Sequence, residues 1–210
     1  MIEVIPSILA RTTDELYEAI RKLEPHVSRV HIDIVDGQFA PNTTVTAYQE
    51  LDQLDTQLKF DVHLMVNNPG AVLEHWYQVK QADRFFIHAE APQDPLTALA
   101  QIRAPQRWAG LAANPGTNVP TIERFLPSTD IVLMMGVHPG FTGGHFLPAT
   151  VEKVATLHAR HPQLPIGVDG GMSPETAQQV IAAGATIIVS STYIMQSPDI
   201  GEAVEKLKNS

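Results

Sequence analysis

Short apolar, β-branched runs recur along this chain, and amphipathic stretches separate them. The runs are Glu3–Ser7, Arg29–Ile34, Lys59–Leu64, Arg84–His88, Trp108–Ala113, Ile131–Met135, Ile166–Asp169 and Thr186–Ser190. Short apolar runs of this kind, bounded by turn residues, predict strands. Between them, apolar residues return at the spacing of one helix face. The stretch from Thr13 to Leu23 puts Leu16, Ala19, Ile20 and Leu23 together. A second, from Val151 to His161, groups Val151, Val154, Ala155 and His158. Ser173-Pro174-Glu175-Thr176 reads as a helix start, with Ser173 as the N-cap and Pro174 in the first turn.

Strands that alternate with helices predict a parallel sheet. About eight such units fit into 210 residues, with no linker or low-complexity break. That predicts an α/β fold, a closed (β/α)8 TIM barrel, as one domain over residues 1–210. An open doubly wound sheet would want a glycine-rich turn after its first strand. Here that turn reads Ser7-Ile8-Leu9-Ala10-Arg11, without glycine. Barrels carry their chemistry at the C-terminal ends of the strands, so the strand tips are the place to search.

Composition narrows the chemistry further. Hydrophobic content of 44% and charged content of 18% are those of an ordinary soluble globular protein. No apolar run approaches the roughly 18 residues of a membrane helix. The N-terminus, Met1-Ile2-Glu3-Val4-Ile5, has no basic n-region, and a cytoplasmic location is expected. A formal net charge of −9 disfavours nucleic acid and anionic membranes as partners. A small anion remains acceptable if backbone dipoles bind it. The chain has no cysteine, which excludes thiolate metal sites and makes nitrogen and oxygen donors the candidates.

Such donors stand at the strand tips. The segments are His31-Ile32-Asp33-Ile34-Val35-Asp36-Gly37, Asp61-Val62-His63-Leu64-Met65 and Val168-Asp169-Gly170-Gly171. Residues two apart on a strand share a side, so His31 and Asp33 point together. A lone histidine there is ordinarily a hydrogen-bonded core residue. Two imidazoles and two carboxylates at such tips, His31, Asp33, His63 and Asp169, make a metal set instead. They suit a borderline divalent ion such as zinc, iron, manganese or cobalt. The same two aspartates, Asp33 and Asp169, can move protons. Asp36 precedes Gly37 and is expected to make a turn or cap contact. His88 ends the fourth strand and can support a ligand from behind. His26, His75, His158 and His161 fall on helices or connections and are expected to be solvated; His138 and His145 lie in a loop.

Three turns at successive strand ends can cradle an anion. They are Pro139-Gly140-Phe141-Thr142-Gly143-Gly144, Asp169-Gly170-Gly171-Met172 and Ser190-Ser191-Thr192. Glycine lets backbone N–H groups approach a phosphate, and the turns after strands seven and eight are the usual phosphate cradle of a barrel. None of the three holds Lys or Arg, so binding falls to backbone and hydroxyls. Met65 and Met135 end the third and sixth strands. Methionine there usually fills core, and can otherwise form a dry wall beside the site.

These segments resemble the ribulose-phosphate 3-epimerase family. The resemblance runs over nearly the whole chain. Its carriers are Pro6-Ser7-Ile8-Leu9, His31-Ile32-Asp33, Asp36-Gly37-Gln38-Phe39-Ala40-Pro41-Asn42, Asp61-Val62-His63-Leu64-Met65-Val66, Pro139-Gly140-Phe141, Val168-Asp169-Gly170-Gly171 and Ile188-Val189-Ser190. It implies the same barrel, a homo-oligomer, and one divalent metal on His31, Asp33, His63 and Asp169. It implies Asp33 and Asp169 as the acid/base pair. The substrate is implied at Ser7, His63 and Asp169, with its phosphate against Gly140, Phe141, Thr142, Gly143, Gly170, Gly171, Met172, Ser191 and Thr192. Where the family has methionine after the metal aspartate, this chain has Val35. Its glycine loop reads Gly144-His145 where the family has glutamine at the first position, and His138 stands where Asn or Glu is common. Ser191-Thr192-Tyr193 replaces a smaller Gly-Ser turn.

The implied reaction is a 1,1-proton transfer at C3 of D-ribulose 5-phosphate, giving D-xylulose 5-phosphate through a cis-enediolate, a step of the pentose phosphate pathway. An epimerase for a longer ketose phosphate, such as allulose 6-phosphate, would share the metal and both aspartates. A related decarboxylase or aldolase would want a lysine among the strand-end aspartates, and His31 to Asp36 contains none. A non-catalytic sugar-phosphate sensor would not need two opposed carboxylates.

Overall fold

Alternation along each strand sorts side chains to the two sides of a sheet. In the computed structural model, which describes residues 2–104 and 106–210, that sheet is a closed barrel. Its strands are β1 (Glu3–Ile8), β2 (Arg29–Val35), β3 (Lys59–Met65), β4 (Ala82–His88), β5 (Trp108–Ala113), β6 (Ile131–Met135), β7 (Ile166–Asp169) and β8 (Ile187–Ser190). Each pairs in parallel with the next, and β8 pairs back with β1. The helices are α1 (Thr13–Leu23), α2 (Tyr48–Asp52), α3 (Pro69–Trp76), α4 (Pro95–Arg103), α5 (Val119–Glu123), α6 (Ala149–Arg160), α7 (Pro174–Ala182), α8 (Thr192–Met195) and α9 (Ile200–Lys208). Among the described residues, no helix is long and apolar enough to cross a membrane.

Local chemistry explains the helix ends and faces. Thr12 caps α1 by accepting the Glu15 N–H at 3.2 Å. Asp14 and Glu15 in its first turn and Arg21 and Lys22 in its last oppose the helix dipole. The predicted face of Leu16, Ala19, Ile20 and Leu23 is the buried one. At α7, Ser173 and Thr176 form a reciprocal capping box behind Pro174. The buried face of α6 differs from expectation. It is Thr150, Val154 and Leu157, not Val151, Val154, Ala155 and His158. A threonine can join the buried stripe because its hydroxyl donates to the Met135 carbonyl at 3.2 Å. A count of apolar positions alone misses that.

The strands bury both sides. Val30, Ile32 and Ile34 of β2 join Leu16, Ile20 and Leu23 in the layer between barrel and helices. A separate cluster fills the interior, with Ile5, Phe86, Ala112, Leu133 and Val189 among its members. The N-terminal end of the barrel is closed by ion pairs. Arg29 reaches Asp61 at 2.7 Å and Asp83 at 2.5 Å, and Arg84 reaches Glu3 at 2.9 Å. Charges at that end are therefore matched, whereas the polar residues at the other end are crowded with like charge, as described below.

Gly110 shows how tightly the interior is filled. It pairs with Phe86 across β4 and β5, and a Cβ there would overlap the Phe86 ring. Phe86 is buried and packs in turn on His31, with ring centroids 5.5 Å apart. Overpacking a closed core costs roughly 1–3 kcal/mol. Gly110→Ala should lower the stability of the fold by about that amount, read as a lower urea midpoint at unchanged slope. An unchanged midpoint would show that the interior has slack.

Candidate active site at the C-terminal mouth of the barrel

Three strands bring four side chains with ligating atoms to one point, Asp169 from a strand tip as expected but His31 from mid-strand and Asp33 and His63 from two residues before the strand ends. His31 and Asp33 come from β2, His63 from β3 and Asp169 from the end of β7. Register places Asp33 beside His63, and closure of the barrel brings β7 to them. One donor atom from each residue lies within 4.8 Å of all the others. Asp33 Oδ1 is 2.9 Å from His63 Nδ1 and 3.7 Å from His31 Nε2. Asp169 Oδ2 is 3.7 Å from His63 Nδ1. All four residues are buried.

The cluster fits a metal ion on its own geometry. His31 is fully buried, yet neither of its ring nitrogens has a hydrogen-bond partner. A buried polar atom left so costs about 1–3 kcal/mol. Asp61 faces His31 Nδ1 at 3.8 Å, beyond hydrogen-bond reach. A cation among the four would take the free Nε2 lone pair and both carboxylates. Electrostatics agree. Burial works against a charged His31, but the pull of Asp61, Asp33 and Asp169 outweighs it and raises its pKa. Burial first, and then the charge of Asp33, pushes the Asp169 carboxyl up to about 6, against the pull of His31 and His63. Negative charge is in excess here, and a cation relieves it. The four side chains can hold a metal ion.

A cleft of about 580 Å³ opens above them. Asp33 and Asp169 line it, whereas the fully buried His31 and His63 do not. Ser7, Gly140, Phe141, Thr142, Gly143, Gly170, Gly171, Met172, Ser191 and Thr192 also line it. Met65 and Met135 are buried and at the same time form part of its wall. His63 alone among the expected substrate neighbours stands outside the lining. The sequence did not single out Gln196, Ser197 and Pro198, which extend the cleft beyond α8 together with Tyr193. Among the described residues, no Lys or Arg lines it.

The turns carry the cradle geometry. Gly143 sits at φ +79° with only Thr192 Oγ1, at 3.9 Å, near the place of a Cβ. It needs glycine for its backbone and leaves open space toward Thr192. Ser191 has φ −99°, so its side chain is accepted without left-handed strain. The lost glycine of that turn is therefore no obstacle to the backbone.

The remaining polar residues divide clearly. Asp36 accepts the N–H groups of Gln38 and Phe39 on one oxygen and of Asn67 on the other, each at 2.8 Å. These bonds hold its carboxyl below the usual range against its partial burial. It is a turn and cap residue. His26, His75, His138 and His145 are exposed, and none of them lines the cleft. His158 is half-buried, and His161 pairs with Glu123 at 3.0 Å. His88 is fully buried, 2.9 Å from His63 and 3.2 Å from Glu90. Burial drives its pKa down to about 4 despite the Glu90 bond. Glu90 gave no signal in the sequence beyond following a strand end.

Known proteins resemble this chain over its length. Residues 3–195 match the model of the ribulose-phosphate 3 epimerase family. The ribulose-phosphate 3-epimerase of Chlamydia pneumoniae is 36% identical, covering 93% of this chain and 88% of the relative. The cytoplasmic isoform of Oryza sativa subsp. japonica is 36% identical, covering 99% of this chain and 93% of the relative. Among solved structures, a 3-hexulose-6-phosphate synthase superposes with a TM-score of 0.74 at 14% identity, over 99% of both chains, which bears on the barrel alone. With the barrel, the match over residues 3–195 and these relatives in agreement, the chain belongs to the ribulose-phosphate 3-epimerase family.

Proposed function

We propose that this chain is an isomerase that interconverts D-ribulose 5-phosphate and D-xylulose 5-phosphate, with Asp33 and Asp169 as its two catalytic carboxylates. One observation carries the reading. Two buried carboxylates, on strands three steps apart around the barrel (β2, β1, β8, β7), face one cleft beside a metal-competent cluster. Epimerisation at one carbon needs a proton removed on one face and delivered on the other. Two groups on different strands meet that need, and a single group would not.

His31, Asp33, His63 and Asp169 would hold zinc, iron, manganese or cobalt. A divalent ion there would supply Lewis-acid stabilisation of the negative charge that builds on the sugar. The chain's own groups do the rest. One aspartate takes the C3 proton, which leaves the sugar as a cis-enediolate, and the other returns a proton to the opposite face. Met65 and Met135 present a wall without exchangeable protons, and Ser7 offers a hydroxyl at the cleft. The phosphate sits against the turns at Gly140 to Gly143, Gly170 to Met172, and Ser191 with Thr192. A cytoplasmic location and a single barrel domain belong to the same reading, and the cytoplasmic rice relative supports the location.

A second reading has one observation in its favour. The cleft runs on past Thr192 to Tyr193, Gln196, Ser197 and Pro198, which leaves room for a longer ketose phosphate such as allulose 6-phosphate. A panel of ketose phosphates in deuterated water decides between them, with metal content measured on the same sample. Ribulose 5-phosphate should gain deuterium at C3 and invert. Faster exchange into allulose 6-phosphate would transfer the assignment to the second reading, and exchange into none would reject both.

Phosphate recognition by backbone and hydroxyls makes its own prediction. Because Ser191 is unstrained and Thr192 faces Gly143, the hydroxyls stand in for the closer approach glycine would allow. Ser191→Gly should leave KM for ribulose 5-phosphate almost unchanged, and ribulose without phosphate should be a very poor substrate. A clear gain in affinity would show that the turn is shaped for another ligand. Equal turnover of the two sugars would show that no phosphate site operates.

A further inference from the structure

Two buried imidazoles meet edge to edge behind the cleft. His63 Nε2 lies 2.9 Å from His88 Nε2, with ring centroids 5.0 Å apart and planes 18° off parallel. Both residues are fully buried, and Phe39 covers His88 with its ring centroid at 4.6 Å. Two neutral imidazole nitrogens at that distance share one hydrogen; two lone pairs or two N–H groups would repel. Carboxylates flank the pair at both ends: Asp33 Oδ1, 2.9 Å from His63 Nδ1, draws the hydrogen one way and Glu90 draws it the other, and an ion held on His63 Nδ1 would remove the first pull and leave the partner of His88 to decide. Glu90 Oε2 lies 3.2 Å from His88 Nδ1. Its other oxygen already accepts the Asn114 N–H at 3.0 Å and the Thr117 hydroxyl. A carboxylate only accepts, so His88 carries its hydrogen on Nδ1 and turns the Nε2 lone pair to His63. His63 must then hold its hydrogen on Nε2. Its Nδ1 lone pair is then free for an ion that would also lie against Asp33 and Asp169, whose oxygens are 2.9 Å and 3.7 Å away.

We infer that Glu90, acting through His88, is a positioning residue that fixes the His63 hydrogen on Nε2 and so presents Nδ1 to the metal. The inference rests on the metal reading above. It gives His63 the outer support that ligating histidines generally have, here relayed through a second ring. Neither Glu90 nor His88 lines the cleft, so neither touches substrate.

Glu90→Gln tests the relay without changing its shape. The Asn114 N–H and the Thr117 hydroxyl both donate to the Oε1 position, so the amide oxygen settles there. Its NH2 then faces His88 Nδ1 and donates. The whole chain reverses: His88 carries its hydrogen on Nε2 and His63 on Nδ1, which blocks the ligand atom. The experiment uses full-length protein labelled with ¹⁵N-histidine, read both loaded with zinc and stripped of metal. Long-range ¹H–¹⁵N correlation reads the tautomers, and competition with a chromophoric chelator reads zinc and cobalt affinity. Zinc-loaded wild-type protein should show His88 protonated on Nδ1 and His63 on Nε2. The variant should show His88 protonated on Nε2, and its metal affinity should fall roughly 10–100-fold. A zinc-loaded wild-type His88 protonated on Nε2 overturns the inference. So does a variant with wild-type tautomers and affinity. If the wild-type chain binds no metal, the metal reading fails and the relay falls with it, a result distinct from a zinc-loaded chain with the opposite tautomers. If the variant does not fold, the zinc-loaded wild-type tautomer decides it alone.

Discussion

Stripped of divalent metal, the protein should lose epimerase turnover, and zinc, iron, manganese or cobalt should restore it. The geometry gives the reason. Removing a proton beside a carbonyl leaves negative charge on the sugar, and here that charge forms within reach of two buried carboxylates. Burial and the charge of Asp33 already hold the Asp169 carboxyl up to about 6, so the pocket resists a further negative charge. Without a cation that repulsion adds to the barrier. Lewis-acid stabilisation is worth several kcal/mol, and each 1.36 kcal/mol is tenfold in rate. Loss of the ion therefore costs roughly a thousandfold or more. Dialysis against a chelator, elemental analysis, and add-back of each metal measure this directly. The melting midpoint supplies an independent reading. A ligand that binds only the folded chain at a hundred times its Kd adds about 2.7 kcal/mol of stability. Metal-free protein with full turnover would remove the metal from the reaction, whatever the cluster looks like.

The barrel was legible because its strands are buried on both sides and read as apolar runs. Three of them, Trp108–Ala113, Ile131–Met135 and Ile166–Asp169, begin and end where the pattern places them. The metal set was legible for a related reason. His31, Asp33, His63 and Asp169 are polar residues within or at the end of apolar runs, where burial demands an explanation. The helices α2, α5 and α8 were not read, since four or five residues are too few to show a period, and the longer α3, α4 and α9 were not picked out either. Gln196, Ser197 and Pro198 reach the cleft only because of the direction α8 takes after β8. The pairing of His88 with His63 was beyond the sequence for another reason. It depends on how neighbouring strands stagger, and β3 and β4 shift register between Phe60 and Asp61. Glu90, two residues past His88, becomes meaningful only when that pairing is seen.

Asp33→Asn and Asp169→Asn should each reduce epimerisation by orders of magnitude, and in mirror-image ways. A positioned acid or base contributes roughly 10²–10⁴-fold. Each aspartate is also placed as a ligand, so metal content must be measured in both variants and the comparison made on loaded protein. The distinctive result lies in the C3 proton rather than in the rate. With Asp33 gone, Asp169 can still remove a proton, but only from the epimer whose C3 hydrogen faces it. No group then waits on the other face, so the proton returns where it left. That epimer should exchange its C3 hydrogen with solvent deuterium and keep its configuration, while the opposite epimer stays inert. Asp169→Asn should reverse the two, with Asp33 washing out the epimer that the first variant leaves untouched. The pair of experiments assigns each carboxylate to a face of the sugar. Loaded variants that both keep near-normal inversion would end the two-carboxylate mechanism. Washout from both epimers in one variant would show that a single group reaches both faces, and the separation of Asp33 and Asp169 around the barrel would then have no catalytic meaning.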